Sequence, residues 1–385
     1  MHKFLYLISI FLAGYQGIFA QYRLRIELIV PNVQDVDSFF IAGSFNNWQP
    51  ADKAYGFLKN DEKLIYEKSE LPSGIYEFKI TRGSWDKVES TNNGTDINNR
   101  FINLSSDTII QISVEGWKDN FVRAPKMHTA SKNVHLLDSS FHMSKLGRDR
   151  PVWIYLPPDY NSGKKRYPVI YMHDGQNLFD SFTSGFGEWG VDEILDSLSA
   201  AGKTSSIVIG IDNGPHRLNE YNPYNNARFG EGEGEAYINF IIKDLKPFVD
   251  KNYRTLSAKE NTIIAGSSMG GLISYYAALK YPSVFGKAGI FSPAFWIAPD
   301  ILPLTDTLAP QAKGMYFFYM GEKEGEEMIS SMNAVTLNLG KSSGALIYTV
   351  VDPGGKHHEY SWKKWFPEFY LWVSSNGLNH IIKQD

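Results

Sequence analysis

The sequence predicts an α/β domain built on a mainly parallel sheet, preceded by a small all-β sandwich. Three observations carry that prediction. Near residue 133 the texture of the 385-residue chain changes, from short alternating apolar runs to apolar runs interleaved with helical periodicity. Before that point, Asn-Asn, Pro-Ser-Gly and Asn-Asn-Gly turn signals separate runs of strand length. After it, a glycine-crowded junction at 266–271 joins a strand-like run directly to a helix-like one.

Composition sets the bounds. A chain that is 43% hydrophobic and 14% aromatic over this length has apolar material for two cores. Its formal net charge of -4 comes from 38 basic and 42 acidic side chains with no long block of either sign. That leaves no electrostatic footprint for nucleic acid or an anionic membrane, and predicts an uncharged or small partner. The absence of cysteine excludes disulfides, thiolate metal sites, a cysteine nucleophile and a lipid-modified N-terminal cysteine. No His/Asp/Glu set has metal-ligand spacing, so neither metal nor cofactor is predicted.

In chain order, residues 1–20 read as an export leader: His2 and Lys3 precede an apolar run at 4–14, and Ala20 offers a cleavage point before Gln21. The run is shorter than the roughly 20 apolar residues that span a bilayer, so no membrane insertion is expected. Residues 21–118 form the sandwich, with runs at 24–30, 39–42 and 75–80. A polar stretch at 119–132, containing Pro125 and several basic residues, is the linker. Over 133–385, strands are expected at 152–155, 169–173, 207–211, 262–265, 286–291, 316–320 and 345–351. Helices are expected at 191–200, 235–251, 269–279 and 362–373. The connection at 212–234 is long and dense in Asn, Gly, Tyr and Arg, which predicts a wall of an active site.

The strongest chemical signal is Gly266-Ser267-Ser268-Met269-Gly270 between a strand and a helix. Small neighbours are needed there because the chain turns so sharply that side chains two residues either side of the serine would collide. Ser268 would stand exposed at a helix start, where free N–H groups favour charge developing on an attacked carbonyl oxygen. A serine hydroxyl needs an imidazole to take its proton. Of the three histidines after Ser268, His380 lies in the tail, while His357 and His358 share a loop between the last strand and the last helix. The acid belongs on a loop after a late strand, and Glu322, Glu324, Glu326 and Glu327 all follow 316–320. The backbone N–H groups of Gln176, after the strand ending at His173, and of Met269 are the candidate oxyanion donors. His173 itself reads as a hydrogen-bonded structural residue.

These residues resemble the putative-esterase family of α/β hydrolases, which includes enterochelin esterase-like proteins and carbohydrate esterases of family one. The marks are Tyr155-Leu156-Pro157-Pro158-Asp159-Tyr160, Tyr171 through Asn177, Gly210 through Gly214 followed by Arg217 and Glu220-Tyr221, Tyr253-Arg254-Thr255, the serine motif, and Ser292 through Trp296. The resemblance covers nearly all of the chain from 133 and implies an α/β-hydrolase fold. Its Gly-x-His-x-Glu pattern falls on Gly355, His357 and Glu359, and its Gly-x-x-acid pattern on Gly321 and Glu324. That implies His357 as base and Glu324 as acid, with Glu322 in reserve, although relatives commonly carry Asp at the acid position. It further implies Arg217, Tyr221 and Trp296 as substrate contacts.

The front module is similar to starch- and glycogen-binding sandwiches through Gly43-Ser44-Phe45-Asn46-Asn47-Trp48, Tyr76-Glu77-Phe78-Lys79, Trp85 and Asn99-Arg100. This likeness implies sugar stacking on Trp48 and Trp85, with Lys79 and Asn99 bonding hydroxyls. Together the resemblances imply a secreted serine esterase acting on an ester, of acetyl, feruloyl or siderophore type, with a polysaccharide as one candidate partner. A peptidase or thioesterase could use the same groups, and a glycan-binding protein of little activity is the reading from another class.

Overall fold

Along the first strand every second side chain is buried, and that alternation is what makes the front module a sandwich. The computed structural model describes residues 20–30, 38–60, 63–121, 126–226 and 229–375. The expected leader up to residue 19, Pro125 and His380 lie outside them. The module comprises β1 (Gln21–Ile29), β2 (Phe40–Gly43), β3 (Leu58–Asn60), β4 (Lys63–Pro72), β5 (Gly74–Thr81), β6 (Glu89–Ser90), β7 (Arg100–Leu104), β8 (Thr108–Ser113) and β9 (Gly116–Trp117). They pair in the orders β3-β4-β1-β8, β2-β5-β7 and β6-β9. Leu24, Ile26 and Leu28 of β1 share one core with Tyr76, Phe78 and Ile80 of β5.

Residues 128–131 of the linker are fastened to the α/β domain. His128 Nδ1 lies 2.7 Å from Asp180 Oδ2, the Thr129 hydroxyl donates to Glu188 at 2.9 Å, and Ser131 N donates to Asp192 at 2.6 Å.

In the α/β domain the central strands are apolar and buried on both sides, which forces layers onto both faces of the sheet. The strands are β10 (Val134–Met143), β11 (Arg148–Tyr155), β12 (Val169–His173), β13 (Ile207–Ile211), β14 (Thr262–Ser267), β15 (Lys287–Phe291), β16 (Met315–Gly321) and β17 (Leu346–Asp352). Their order is β10-β11-β13-β12-β14-β15-β16-β17, with β11 antiparallel to both neighbours and β12 to β17 parallel. Val169 and Tyr171 face one core, and Ile170 and Met172 face the other. The helices are α1 (Val191–Ala200), α2 (Arg217–Glu220), α3 (Gly234–Phe240), α4 (Lys246–Asn252), α5 (Met269–Lys280), α6 (Ile301–Leu308), α7 (Glu326–Ser342) and α8 (Glu359–Ser374). Strand order reverses beside β12: the chain leaves β12 toward β13 but leaves β14 toward β15. The crevice above the C-terminal ends of β12 and β14 is therefore where ligands enter such a sheet.

In the α/β domain four elements were not anticipated, β10, α2, α6 and α7. β10 is an edge strand with mostly exposed side chains and two register shifts, so it carries no clean alternation. In α7 only Met332, Val335 and Leu339 are buried along 17 residues, too thin an apolar stripe to stand out in sequence. α6 is short, eight residues with only Ile301 and Thr305 buried. The helix expected over 235–251 is divided by a π-helical turn, Ile241–Leu245.

Candidate active site

At the end of β14 the backbone of Ser268 adopts φ 58°, ψ −121°, a conformation that L-residues rarely hold. Three hydrogen bonds pin it there: Ser268 N donates to Phe291 O, and Ser268 O accepts from Ala294 N and from Leu272 N, the first bond of α5. The glycines are required by contact. A Cβ on Gly266 would lie 2.9 Å from His173 Cδ2, one on Gly270 3.2 Å from His173 Cβ, and one on Gly271 2.7 Å from Phe291 O. His173 is thus the wall against which the turn packs. Its Nδ1 meets the Tyr237 hydroxyl at 2.9 Å, and burial lowers its pKa to about 3, so it stays neutral and is no proton shuttle.

Two loops, after β16 and β17, bring an acid and an imidazole together. Glu324 Oε2 lies 2.7 Å from His357 Nδ1, and Glu324 Oε1 accepts from Gly321 N at 2.8 Å and from the Ser292 hydroxyl at 2.6 Å. Ser292 Oγ in turn accepts from Trp362 Nε1 at 2.8 Å, and the Trp362 ring stands edge-on to His357 at 5.2 Å. The imidazole is therefore held in both position and tautomer, with Nδ1 turned to the carboxylate. Burial alone would push the His357 pKa down, but the Glu324 charge and hydrogen bond outweigh it and raise it to about 9. No hydrogen bond joins His357 to the Ser268 hydroxyl, a contact that in free hydrolases often tightens only on substrate binding.

Geometry separates the neighbours that sequence left open. His358 is the N-cap of α8, its Nδ1 accepting from Tyr360 N at 3.1 Å, while Nε2 lies 3.9 Å from Asp96 of the module. Glu322 is exposed, 3.8 Å from Lys323. Glu326 and Glu327 begin α7, where a helix N-terminus favours negative charge. Ser292 is the partner that sequence reading missed as a functional group; its signal was a serine directly after a strand end and before Pro293.

The oxyanion candidates sit at the switch point. Met269 N is the first helical N–H of α5, and Gln176 lies in a single 3₁₀ turn after β12, Gly175–Asn177. Asp174 enters that turn at φ 57° and is clamped by Arg217, Nε to Oδ1 at 2.7 Å and Nη2 to Oδ2 at 2.8 Å, with Asn213 Nδ2 donating to Oδ1 at 2.6 Å. Burial would raise the Asp174 pKa, and the Arg217 charge more than offsets it. Arg217 is thus occupied with the turn. Tyr221 is fully buried, accepting from Asp174 N at 3.4 Å and packing on His173 at 5.2 Å. Trp296 is half-buried, edge-on to Phe229 at 6.3 Å. The described residues of the 212–234 connection are anchored as well, Glu220 and Glu233 bonding Arg148 and Arg150 of β11. That connection braces the turn carrying Gln176.

Of the four module residues, Trp48 and Trp85 meet the α/β domain, while Lys79 and Asn99 bond within the module. The Trp48 and Trp85 rings lie 6.2 Å apart; Trp85 stands edge-on to Phe186 at 5.5 Å, and Trp48 packs against the α/β core. Lys79 Nζ donates to Ile97 O at 2.8 Å, and Asn99 Nδ2 donates to Glu77 at 3.2 Å. As for metals, carboxylates of Glu188, Asp192 and Glu193 gather within 4.8 Å at the start of α1. Burial raises the Asp192 pKa far above the usual range, so a proton relieves that crowding.

Comparison with known proteins gives this arrangement its place. Residues 143–322 match the family described as "Putative esterase". The uncharacterized protein YbbA of Bacillus subtilis is 28% identical over 233 residues, covering 56% of this chain and 89% of that protein. An endo-1,4-beta-xylanase/feruloyl esterase of Xylanibacter ruminicola is also 28% identical over 233 residues, 58% of this chain but 29% of that longer protein. Among solved structures, the enterobactin esterase FES from Shigella flexneri, in the presence of enterobactin, superimposes with a TM-score of 0.51 at 16% identity, covering 91% of this chain and 92% of its own. That last likeness speaks for the fold alone. With the sheet order, the strained serine turn and the sequence match in agreement, the α/β domain is similar to the putative-esterase family over residues 143–322, and the protein is a carboxylic ester hydrolase.

Proposed function

We propose that hydrolysis runs through an acyl-enzyme on Ser268, and that the natural substrate of this exported enzyme is an esterified glycan. The observation that carries the mechanism is the Glu324–His357 pair at 2.7 Å, fixed by Gly321 and Ser292, together with Ser268 held in a strained turn at the end of β14. His357 takes the Ser268 proton as Oγ attacks the ester carbonyl, and Glu324 stabilises the imidazolium. The N–H groups of Gln176 and Met269 receive the oxyanion, in a turn kept rigid by the Asp174–Arg217 clamp. The imidazolium gives its proton to the departing alcohol; water then attacks the acyl-Ser268, returning acid and free enzyme. The glycan reading draws on similarity to a protein named as an endo-1,4-beta-xylanase/feruloyl esterase.

The Ser268→Ala variant should lose turnover of a simple aryl ester by up to about 10⁶-fold. His357→Ala should be crippled and Glu324→Ala less so, because orientation costs less to lose than proton transfer, while His358→Ala and Glu322→Ala stay mild. Steady-state kinetics on the purified variants checks this, and a reversed order within either pair would reassign the triad. Since His357 must be neutral to act as base, kcat/KM should rise with pH through an inflection alkaline of the ordinary imidazole value of 6.5. Glu324→Gln removes the charge that favours the imidazolium and should move that inflection down; a native inflection at or below 6.5 contradicts the pair. For export, N-terminal sequencing of the native protein should begin near Gln21, and an intact Met1 would count against it.

A further inference from the structure

The 3₁₀ turn Gly175–Asn177, which carries Gln176, is held at both ends. At its entry Asp174 is gripped by Arg217 and Asn213; at its exit Asn177 Nδ2 donates to Glu359 Oε1 at 3.3 Å. Glu359 is the first residue of α8, one position after the cap His358 and two after His357. Among the described residues, this is the one hydrogen bond that joins residues 175–177 to residues 355–359.

We infer that Glu359 is a positioning residue of the reaction: through Asn177 it fixes the Gln176 N–H relative to His357, so that oxyanion and proton are received in one frame. The inference rests on the acyl-enzyme reading above and adds to it a residue outside the triad. Donor and base have to act in the same step. As Ser268 Oγ bonds the acyl carbon, the carbonyl π pair moves onto the oxygen at Gln176 and Met269, while the Ser268 proton passes to His357. Met269 needs no tether, since it belongs to the serine turn itself. Gln176 follows β12 and His357 follows β17, with β14, β15 and β16 between them in the sheet. The Arg217 clamp fixes the turn to α2 but not to the base; the Glu359 bond supplies that reference.

The surroundings of the bond suit this role. Glu359 is 6% exposed, and burial pushes its carboxyl above the usual range, a costly arrangement for a side chain that only filled space. Its partner is equally constrained. Asn177 is buried, its N donates to Asp174 O at 2.9 Å, its O accepts from Trp189 N at 2.9 Å, and its Oδ1 accepts from Gly185 N at 3.1 Å. Because Oδ1 takes the Gly185 N–H, Nδ2 is the end of the amide that faces Glu359. The chain at Gly187 closes over the pair: at φ 121°, a Cβ there would lie 3.4 Å from Glu359 Cβ and 3.2 Å from His358 Cε1. The Asn177 side chain therefore moves only with the turn, and the turn is registered to the base through the start of α8.

The test is kinetic, on the full-length protein with one aryl ester. Glu359→Ala should lower kcat and kcat/KM together by about 10- to 100-fold with KM little changed, as for a displaced oxyanion donor. Glu359→Gln keeps an acceptor for Asn177 and should lose only about 2- to 5-fold, because a neutral acceptor bonds more weakly than a charged one. Asn177→Asp sets two carboxylates face to face and should be as impaired as Glu359→Ala. Combining Asn177→Asp with Glu359→Gln restores the bond with its polarity reversed, the glutamine amide donating to the aspartate, and should recover kcat by about 5-fold or more over Asn177→Asp alone. Such a recovery cannot come from a damaged fold, so the swap decides even where a single variant is unstable. A double variant no faster than Asn177→Asp, a Glu359→Gln as slow as Glu359→Ala, or losses confined to KM would each overturn the inference. Ser268→Ala run beside them separates the two claims: activity surviving in that variant defeats the acyl-enzyme reading, whatever the swap does.

Discussion

The backbone of Ser268 is the constraint on which the rest of the structure depends. A residue in that region costs on the order of 1–3 kcal/mol and persists only where its surroundings overdetermine it. Here three backbone hydrogen bonds and the close packing of Gly266 and Gly270 on His173 do so. The central position of β14, between β12 and β15, makes the turn part of the core, and α5, which follows it, is buried on every side. His173 has to be neutral and fixed for that packing, which accounts for its hydrogen bond to Tyr237 and the aromatic cluster around it.

A serine held this way is useful only if its partners are equally fixed, and each partner comes from a different strand end. The turn after β12 is clamped by Arg217; the acid after β16 is held by Gly321 and Ser292; the imidazole after β17 is held by the acid and by Trp362. Every buried charge in this chain of contacts has an opposite charge or several donors beside it, which keeps burial affordable. The geometry is therefore built before substrate arrives, as electrostatic stabilisation of a transient oxyanion demands.

Much of this was legible in the sequence where a local rule dominates. Strands apolar on both faces announced the parallel sheet, and the glycines around Ser268 announced the turn, since a Cβ on Gly266 or Gly271 would collide with a named neighbour and one on Gly270 would crowd His173. What stayed illegible depends on tertiary contact. His357 and His358 differ by one position, and only the cap of α8 and the reach of Glu324 distinguish them. Arg217 and Tyr221 were read as substrate contacts, whereas they support Asp174, a partner 43 and 47 residues away in sequence. The helix α7 hid behind its polar surface. The module's aromatic pair could be read as a stacking platform, but its packing toward the α/β domain could not, because which face of a sandwich docks is set by the partner surface.

The central claim, that the strained serine is an activated nucleophile in the folded protein, is tested most directly by reaction with an aryl fluorophosphonate followed by peptide mapping. A single adduct on Ser268 is expected, formed at neutral to alkaline pH and abolished when the protein is unfolded before treatment. No adduct on the folded protein, or an adduct on another residue, would contradict it.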